Sequence, residues 1–264
     1  MTAWVLEPDV FTQASFEAMR DAVRVAGDEV VAWDDDWWST GRWHSLVDRR
    51  VVFHGSLGNA ARIAAELQWK PGAFCATSAF ACSSYYPGLG PSLAQRSWLL
   101  TTVAAFVADP RGVTVGLGHV EAVFVRPDSA LKPFSGRVVA VDEVSPKALD
   151  YGIYYDDDAL PIVIAPVVNI GREWRYVVVD GAIVAGSAYD AVGREAIPSG
   201  AHEASWCFAA DVAARISAPE PVYVLDVCER EGELKVLELN PFSGADLYAC
   251  DRRAVVVAVT AFLR

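Results

Sequence analysis

Hydrophobic positions along the chain recur at two periods. Near the N-terminus, short apolar runs alternate with stretches of helical spacing. Residues 4–6 form a brief apolar start, stopped by Glu7-Pro8-Asp9. Residues 12–26 place Phe16, Met19 and Val23 on one helical face. Residues 29–33 and 51–54 read as strands, and residues 60–67 as the helix after the second of them. Strands alternating with helices predict a small parallel α/β unit over roughly the first 75 residues.

Beyond that unit the pattern shifts toward period two. Ser92 is a suitable N-cap for a helix running to about residue 107, closed by Asp109-Pro110. Residues 121–126 and 137–141 read as strands. Residues 161–170 are wholly apolar, but Pro166 interrupts them, so they do not form an uninterrupted central strand. Residues 175–179 and 182–185 flank Asp180-Gly181, the strongest short hairpin signal in the chain. A helix is expected over residues 204–216, and a second hairpin from residues 222–227 and 234–239. Residues 246–263 close the chain as a helix, with Val255-Val256-Val257 making strand the competing reading.

Composition narrows the function classes. Of 264 residues, 53% are hydrophobic and 21% charged, which is a folding composition. The formal net charge of −12 argues against a non-specific nucleic-acid binder or an anionic membrane surface, since polyanions are drawn to basic patches. An anionic small substrate is not excluded, because a site can be locally basic. There are only four lysines (Lys70, Lys132, Lys147 and Lys235), so a lysine inside a motif carries extra weight. The five cysteines show no Cys-x-x-Cys and no histidine at zinc spacing, which argues against disulfides and structural zinc. No basic leader or apolar span is visible, and the expectation is a soluble cytoplasmic protein.

The most informative segment is residues 222–242, Val-Tyr-Val-Leu-Asp-Val-Cys-Glu-Arg-Glu-Gly-Glu-Leu-Lys-Val-Leu-Glu-Leu-Asn-Pro-Phe. Strand alternation puts Glu238 and Asn240 on one face, with Leu237 and Leu239 on the other. Asp226 and Glu238 are equidistant from Gly232, so a hairpin folded there sets them cross-strand, about 5 Å apart at Cβ. Two carboxylates that close repel one another unless a cation lies between them. Two carboxylates and an amide oxygen suit Mg²⁺. The alternative is a solvated pair on an exposed sheet face.

Two basic constellations accompany it. In residues 123–136, Val-Phe-Val-Arg-Pro-Asp-Ser-Ala-Leu-Lys-Pro-Phe-Ser-Gly, a strand delivers Arg126 and a loop carries Lys132. Two cations beside a Pro/Ser/Gly loop suit a polyphosphate, although either alone reads as an ordinary surface residue. In residues 171–176, Gly-Arg-Glu-Trp-Arg-Tyr, Arg175 shares a face with Val177 and Val179. A charge on an apolar face needs a phosphate or a carboxylate such as Glu238, or an edge salt bridge. The turn Gly55-Ser56-Leu57-Gly58 between strand and helix reads as a tight turn, with anion binding the weaker alternative.

The ordered set, with Glu-Leu-Asn-Pro-Phe-Ser as its most specific piece, resembles the ATP-grasp superfamily. More narrowly it looks like the short bacterial and phage clade marked by Arg-Pro-Asp…Lys-Pro-Phe-Ser-Gly, over about residues 120–250. The resemblance implies an α+β / α/β fold, with two α+β subdomains clamping ATP behind the N-terminal α/β unit. The corresponding division is 1–90, 91–169 and 170–264. It implies that Arg126 and Lys132 hold ATP phosphates and that Arg175, with Arg172, contacts the γ-phosphate or an acyl phosphate. The backbone of Ala165, Val167 and Val168 would meet adenine, Asn169 the ribose, and Asp226, Glu238 and Asn240 the Mg²⁺, with Mn²⁺ as the alternative ion. An arginine stands in for one of the family's usual lysines, and the phosphate lid reduces to residues 129–136.

The implied activity is an ATP-dependent carboxylate–amine ligase acting through an acyl phosphate, on small-molecule or peptide carboxylate and amine substrates. The competing readings are a phosphotransferase on the same fold and a non-catalytic nucleotide-binding module. No Ser-His-Asp arrangement stands out, and His44, His54, His119 and His202 are read as structural or surface residues. The acidic stretch over residues 31–43, with Trp33, Trp37, Trp38 and Trp43, is a candidate substrate or homodimer surface. The alternative is a solvated loop over buried tryptophans. Asp156-Asp157-Asp158 reads as a loop.

Overall fold

The computed structural model describes residues 1–149, 157–189, 193–197 and 203–264. His202 and Asp156 lie outside the described residues.

The N-terminal unit is the expected parallel α/β layer. Strands β1 (Ala3–Leu6), β2 (Glu29–Ala32), β3 (Arg50–His54) and β4 (Lys70–Gly72) form one sheet in the order β2-β1-β3-β4, all parallel. The brief apolar start is thus a fully buried interior strand. Helix α1 (Gln13–Val25) follows β1, and Thr12 caps it by accepting from the Ser15 N–H at 3.2 Å. After β2 comes a single helical turn, α2 (Trp37–Thr40). Helix α3 (Leu57–Glu66) follows β3 and is capped by Ser56. The Gly55–Gly58 turn is a structural one, because the Ser56 N–H already donates to Glu7 Oε2 at 2.7 Å. Trp33 and Trp37 are buried in this layer's core with Phe53 and Trp69, while Asp34, Asp35 and Asp36 are exposed. That arrangement matches the reading of a solvated loop over buried tryptophans.

Helix α4 (Cys82–Leu89) follows. The helix expected from Ser92 to residue 107 is not formed. Residues 93–98 are irregular, β5 (Leu99–Thr102) is a strand, and only α5 (Val103–Ala108) is helical, capped by Thr102 accepting from Ala105 N–H. The apolar spacing that mimicked one helix serves two cores. Leu93 packs against the central sheet, whereas Val103 and Phe106 pack in the next layer. Thr101-Thr102-Val103 is also β-branched, which favours extended backbone there.

A short helix, α6 (Pro110–Thr114), leads into β6 (Ala122–Pro127) and β7 (Arg137–Ala140). With β5 and β8 (Pro161–Pro166) these form an antiparallel sheet in the order β5-β8-β6-β7. Strand β8 is interior, and it accommodates its prolines by carrying them at its first and last positions. The apolar run continues past Pro166, but the strand does not.

The central sheet is antiparallel, in the order β11-β10-β9-β12-β13. It comprises β9 (Glu173–Val179), β10 (Ala182–Tyr189), β11 (Arg194–Ile197), β12 (Val222–Arg230) and β13 (Glu233–Pro241). Asp180 and Gly181 both have positive φ, 49° and 75°, as the hairpin signal required. One face packs on α4 and α7 (Ala204–Arg215), and the other on α1 and α8 (Arg252–Phe262). Cover on both faces explains why residues 222–228 are buried without a break. The closing helix starts at Arg252 rather than near 246, because Asp251 caps it by accepting from Arg253 and Ala254 N–H. Among the described residues, no helix is long and apolar enough to cross a membrane. The five cysteines are all unpaired.

Candidate nucleotide site

The site is built on the β12–β13 hairpin, and its register depends on a bulge. The turn is Glu231-Gly232, both at positive φ, with Arg230 opposite Glu233. Counted from that turn, Asp226 would face Leu237. A bulge between Asp226 and Val227 adds one residue on β13 and brings Asp226 opposite Glu238. The expected cross-strand pair is therefore present, but it comes from the bulge and not from a hairpin centred on Gly232. The bulge also corrects the face of Leu237. Val236 and Leu239 belong to the core, whereas Leu237 and Glu238, adjacent in sequence, both line a cavity.

Arg126, near the end of β6, and Lys132, in the loop that follows, converge on Glu238. Arg126 Nη2 lies 2.8 Å from Glu238 Oε2, and Lys132 Nζ lies 2.9 and 3.1 Å from its two oxygens. Lys132 adopts φ of 46°, a conformation few non-glycine residues take. Asp128 anchors the start of this loop by accepting from both Ser83 N–H at 2.8 Å and Ser83 Oγ at 2.6 Å. The Arg-Pro-Asp segment thus supplies one site cation and one structural carboxylate.

Arg175 meets Asp226 rather than Glu238. The two are directly opposite on β9 and β12, and Arg175 Nε and Nη2 donate to the two Asp226 oxygens at 2.8 and 2.7 Å. Its Nη1 donates to the Asp246 carbonyl at 2.7 Å, and the guanidinium lies 4.2 Å from the Tyr248 ring centroid. Asn240 Nδ2 donates to Asp226 Oδ2 at 2.9 Å and to Glu238 Oε1 at 3.0 Å, joining the two pairs into one cluster. Three cations therefore surround two carboxylates, and the protein itself supplies the countercharge that proximity demands.

Burial sets the electrostatics. Asp226 is fully buried and Arg175 and Arg126 nearly so, at 0%, 7% and 9% exposed. Burial pushes the Asp226 carboxyl up, opposed by the Arg175 guanidinium. Burial also acts to raise Glu238, but Arg126 and Lys132 outweigh it and hold that carboxyl well below its ordinary value. Glu173, at the start of β9, is raised by burial, and Tyr189 Oη donates to it at 2.9 Å.

A cavity of about 360 Å³ opens beside Arg126, Lys132 and Glu238. Its walls are largely apolar: Phe124, Phe134, Val138, Val167, Val168, Ile170 and Leu237. Ser135 and Gly136 of the 129–136 loop also line it. Of the expected adenine and ribose contacts, Val167 and Val168 line the cavity. Ala165 is buried inside β8 opposite Phe124, and exposed Asn169 is not part of the lining. Arg172 stands apart too, 5.2 Å over the Trp174 ring and lining a separate surface pocket with Arg194. Gln95, Phe124, Phe134, Val138, Ile170 and Leu237 were not singled out from sequence. Gln95 lay hidden in the mistaken helix, and Leu237 behind the bulge.

The group these residues are expected to hold can be tested against their chemistry. Asp226, Glu238 and Asn240 are oxygen donors of the kind Mg²⁺ takes. Here both carboxylates are held by arginine, lysine and the Asn240 amide nitrogen. Among the described residues no group of three His, Cys, Asp or Glu side chains gathers as a metal site. The cavity fits a flat apolar group at one end and an anion at the other.

Comparison with known proteins places this geometry. The family model of an ATP-grasp domain, clade family 3, matches residues 62–259. No curated protein matches the chain in sequence. Among solved structures, the ATP-grasp ligase PsnB complexed with precursor peptide PsnA2 and AMPPNP superposes with a TM-score of 0.59 at 14% identity, covering 100% of this chain and 97% of that one. The D-cycloserine synthetase DcsG gives 0.61 at 13%, covering 100% of both chains. The D-alanine–D-alanine ligase from Bacillus anthracis complexed with ATP gives 0.58 at 13%, covering 100% of this chain and 97% of that one. The three share its fold.

Proposed function

The chain belongs to the ATP-grasp domain family, and from that premise we propose that it is an ATP-dependent carboxylate–amine ligase. The observation that carries the reading is the single connected cluster of Arg126, Lys132, Arg175, Asp226, Glu238 and Asn240 beside an apolar cavity. The family's ordered motifs predict those residues, and a cavity of about 360 Å³ is of the size small-molecule sites take.

In this reading the base of ATP occupies the cavity against Val167, Val168 and Leu237. Arg126 and Lys132 turn from Glu238 to the phosphate oxygens, to which guanidinium and ammonium bind through charge-assisted hydrogen bonds. Glu238, once released, joins Asp226 and Asn240 as oxygen donors to Mg²⁺, or to Mn²⁺ in its place. A divalent ion held there would offset charge on the transferring phosphoryl group. Arg175 commits all three nitrogens to Asp226 and Asp246, so its first role is to fix the Asp226 carboxylate, and phosphate contact falls chiefly to Arg126 and Lys132.

The substrate carboxylate then attacks the γ-phosphorus, and the bond to the ADP oxygen breaks. The amine nitrogen attacks the resulting acyl phosphate, loses a proton, and expels phosphate to leave an amide. Preorganised cations and alignment of the reactants supply the rate in such a step, with no protein nucleophile. Among the similar structures, PsnB is a ligase complexed with a precursor peptide, which supports including peptides among the substrates. The 1–90, 91–169 and 170–264 division is proposed on the same basis, each part holding one of the three sheets.

The test is product analysis with Mg²⁺-ATP and pooled amino acids and peptides. ADP, phosphate and a product lighter than its two substrates by one water are expected. A stable phosphorylated product would reassign the protein as a phosphotransferase. Failure to bind any nucleotide would remove the reading altogether.

A further inference from the structure

Gln95 lines the cavity between the end of α4 and β5, and it is 4% exposed. Its Oε1 is buried with no hydrogen-bond partner. Buried polar atoms are nearly always satisfied, and an unsatisfied one is costly. A leucine there would fill similar space at no such cost.

Neighbouring contacts hold the Gln95 backbone in place. Ala94 N–H donates to the Val236 carbonyl at 2.8 Å, Arg230 Nη1 donates to the Ala94 carbonyl, and Lys235 Nζ donates to the Pro91 carbonyl at 3.1 Å. These bonds tie the segment to β13 beside Leu237 and Glu238. The carboxamide is thus a fixed, uncharged donor–acceptor pair at a cavity whose other walls are apolar and whose far end is cationic. Such a cavity presents one group able to read a base edge, while Arg126 and Lys132 take phosphate.

We propose that Gln95 selects the nucleobase, pairing its carboxamide with the 6-amino and N7 edge of adenine. That edge offers a donor beside an acceptor, the complement of a carboxamide, and glutamine pairs with it in two hydrogen bonds. Guanine presents two acceptors, O6 and N7, on the same edge, so Oε1 would remain unpaired or face another oxygen. The inference depends on the nucleotide reading above and refines it by naming the residue that decides which nucleotide enters.

The experiment is calorimetric titration of the whole chain with ATP, 7-deaza-ATP and GTP, using wild type, Gln95→Leu and Gln95→Met, with thermal melts of the unliganded proteins. Wild type is expected to prefer ATP over GTP by about tenfold or more, the discrimination typical of one two-point base contact. It should lose affinity for 7-deaza-ATP, which lacks the N7 acceptor. Both variants should bring the ATP-to-GTP ratio close to one. Their unliganded melting temperatures should equal or exceed wild type, because a buried unsatisfied oxygen has been removed. If wild type binds ATP but both variants keep its nucleotide preference within about twofold, or wild type shows no preference, this inference fails and the nucleotide reading stands. If wild type binds no nucleotide, both fall. Gln95→Met serves should Gln95→Leu fail to fold.

Discussion

Replacing Asp226 by alanine removes the only carboxylate that contacts Arg175 in the described structure and leaves the guanidinium behind. The Arg175 side chain is 9% exposed and that of Asp226 1%. Removing one partner of such a pair leaves an uncompensated buried charge and typically costs about 3–5 kcal/mol. Two compensations survive: the Nη1 bond to the Asp246 carbonyl and the Tyr248 ring face at 4.2 Å. The lower end of that range is therefore expected, near ~3 kcal/mol. For a chain of this size that lowers the melting temperature by roughly 6–12 °C. Urea unfolding and thermal melts of Asp226→Ala, Arg175→Met and the double variant Asp226→Ala/Arg175→Met give a cycle that isolates the pair. The double variant should melt above Asp226→Ala, because deleting the stranded cation relieves its desolvation. If Asp226→Ala melts within about 2 °C of wild type, or the two single losses simply add, Asp226 and Arg175 are not a coupled buried pair.

His54 and Gly136 each carry a further prediction. His54 is buried and its Nε2 lies 3.1 Å from the Ala245 carbonyl, which only accepts, so the imidazole is neutral with the proton on Nε2. Burial lowers its pKa from 6.5 to about 4. The unfolded chain therefore takes up a proton that the folded one refuses. Stability contributed by this residue is full above 6.5 and is lost as pH falls toward about 4, by about 3 kcal/mol. Urea unfolding should show that loss in wild type, and a His54→Gln variant that keeps the same slope would contradict it. At Gly136, an added Cβ would lie 2.6 Å from Phe124 Cζ on the cavity wall. Gly136→Ala should weaken nucleotide binding about tenfold, in line with the cost of a small overpacking. An unchanged dissociation constant by calorimetry would show that this wall does not touch the ligand.

What could be read in the sequence, and what could not, has a physical pattern. Local chemistry was legible where one residue type dictates backbone geometry. Asp180-Gly181 marked its hairpin, Thr12 its cap, and the prolines of β8 its ends. The carboxylate pair was reached through symmetry about Gly232, although the turn lies at Glu231-Gly232 and a bulge supplies the missing residue. A bulge leaves no strong signature in a stretch of alternating apolar residues, so Leu237 was assigned to the wrong face. Residues 93–106 misled for a different reason. Apolar positions at helical spacing carry no label for the core they serve, and here Leu93 and Phe106 belong to different layers. Partner choice was likewise out of reach. Arg175 needed a carboxylate, but only the β9–β12 pairing shows that it is Asp226 and not Glu238.

The central claim is that ATP exchanges the internal ion pairs of this cluster for its own phosphates and metal. A crystal structure of the whole chain with Mg²⁺ and a non-hydrolysable ATP analogue tests it most directly. The account predicts the base between Val167, Val168 and Leu237, phosphate oxygens on Arg126 and Lys132, and Glu238 released from both to the metal beside Asp226. An analogue bound elsewhere, or bound in this cavity with the Arg126–Glu238 and Lys132–Glu238 pairs intact, would contradict it.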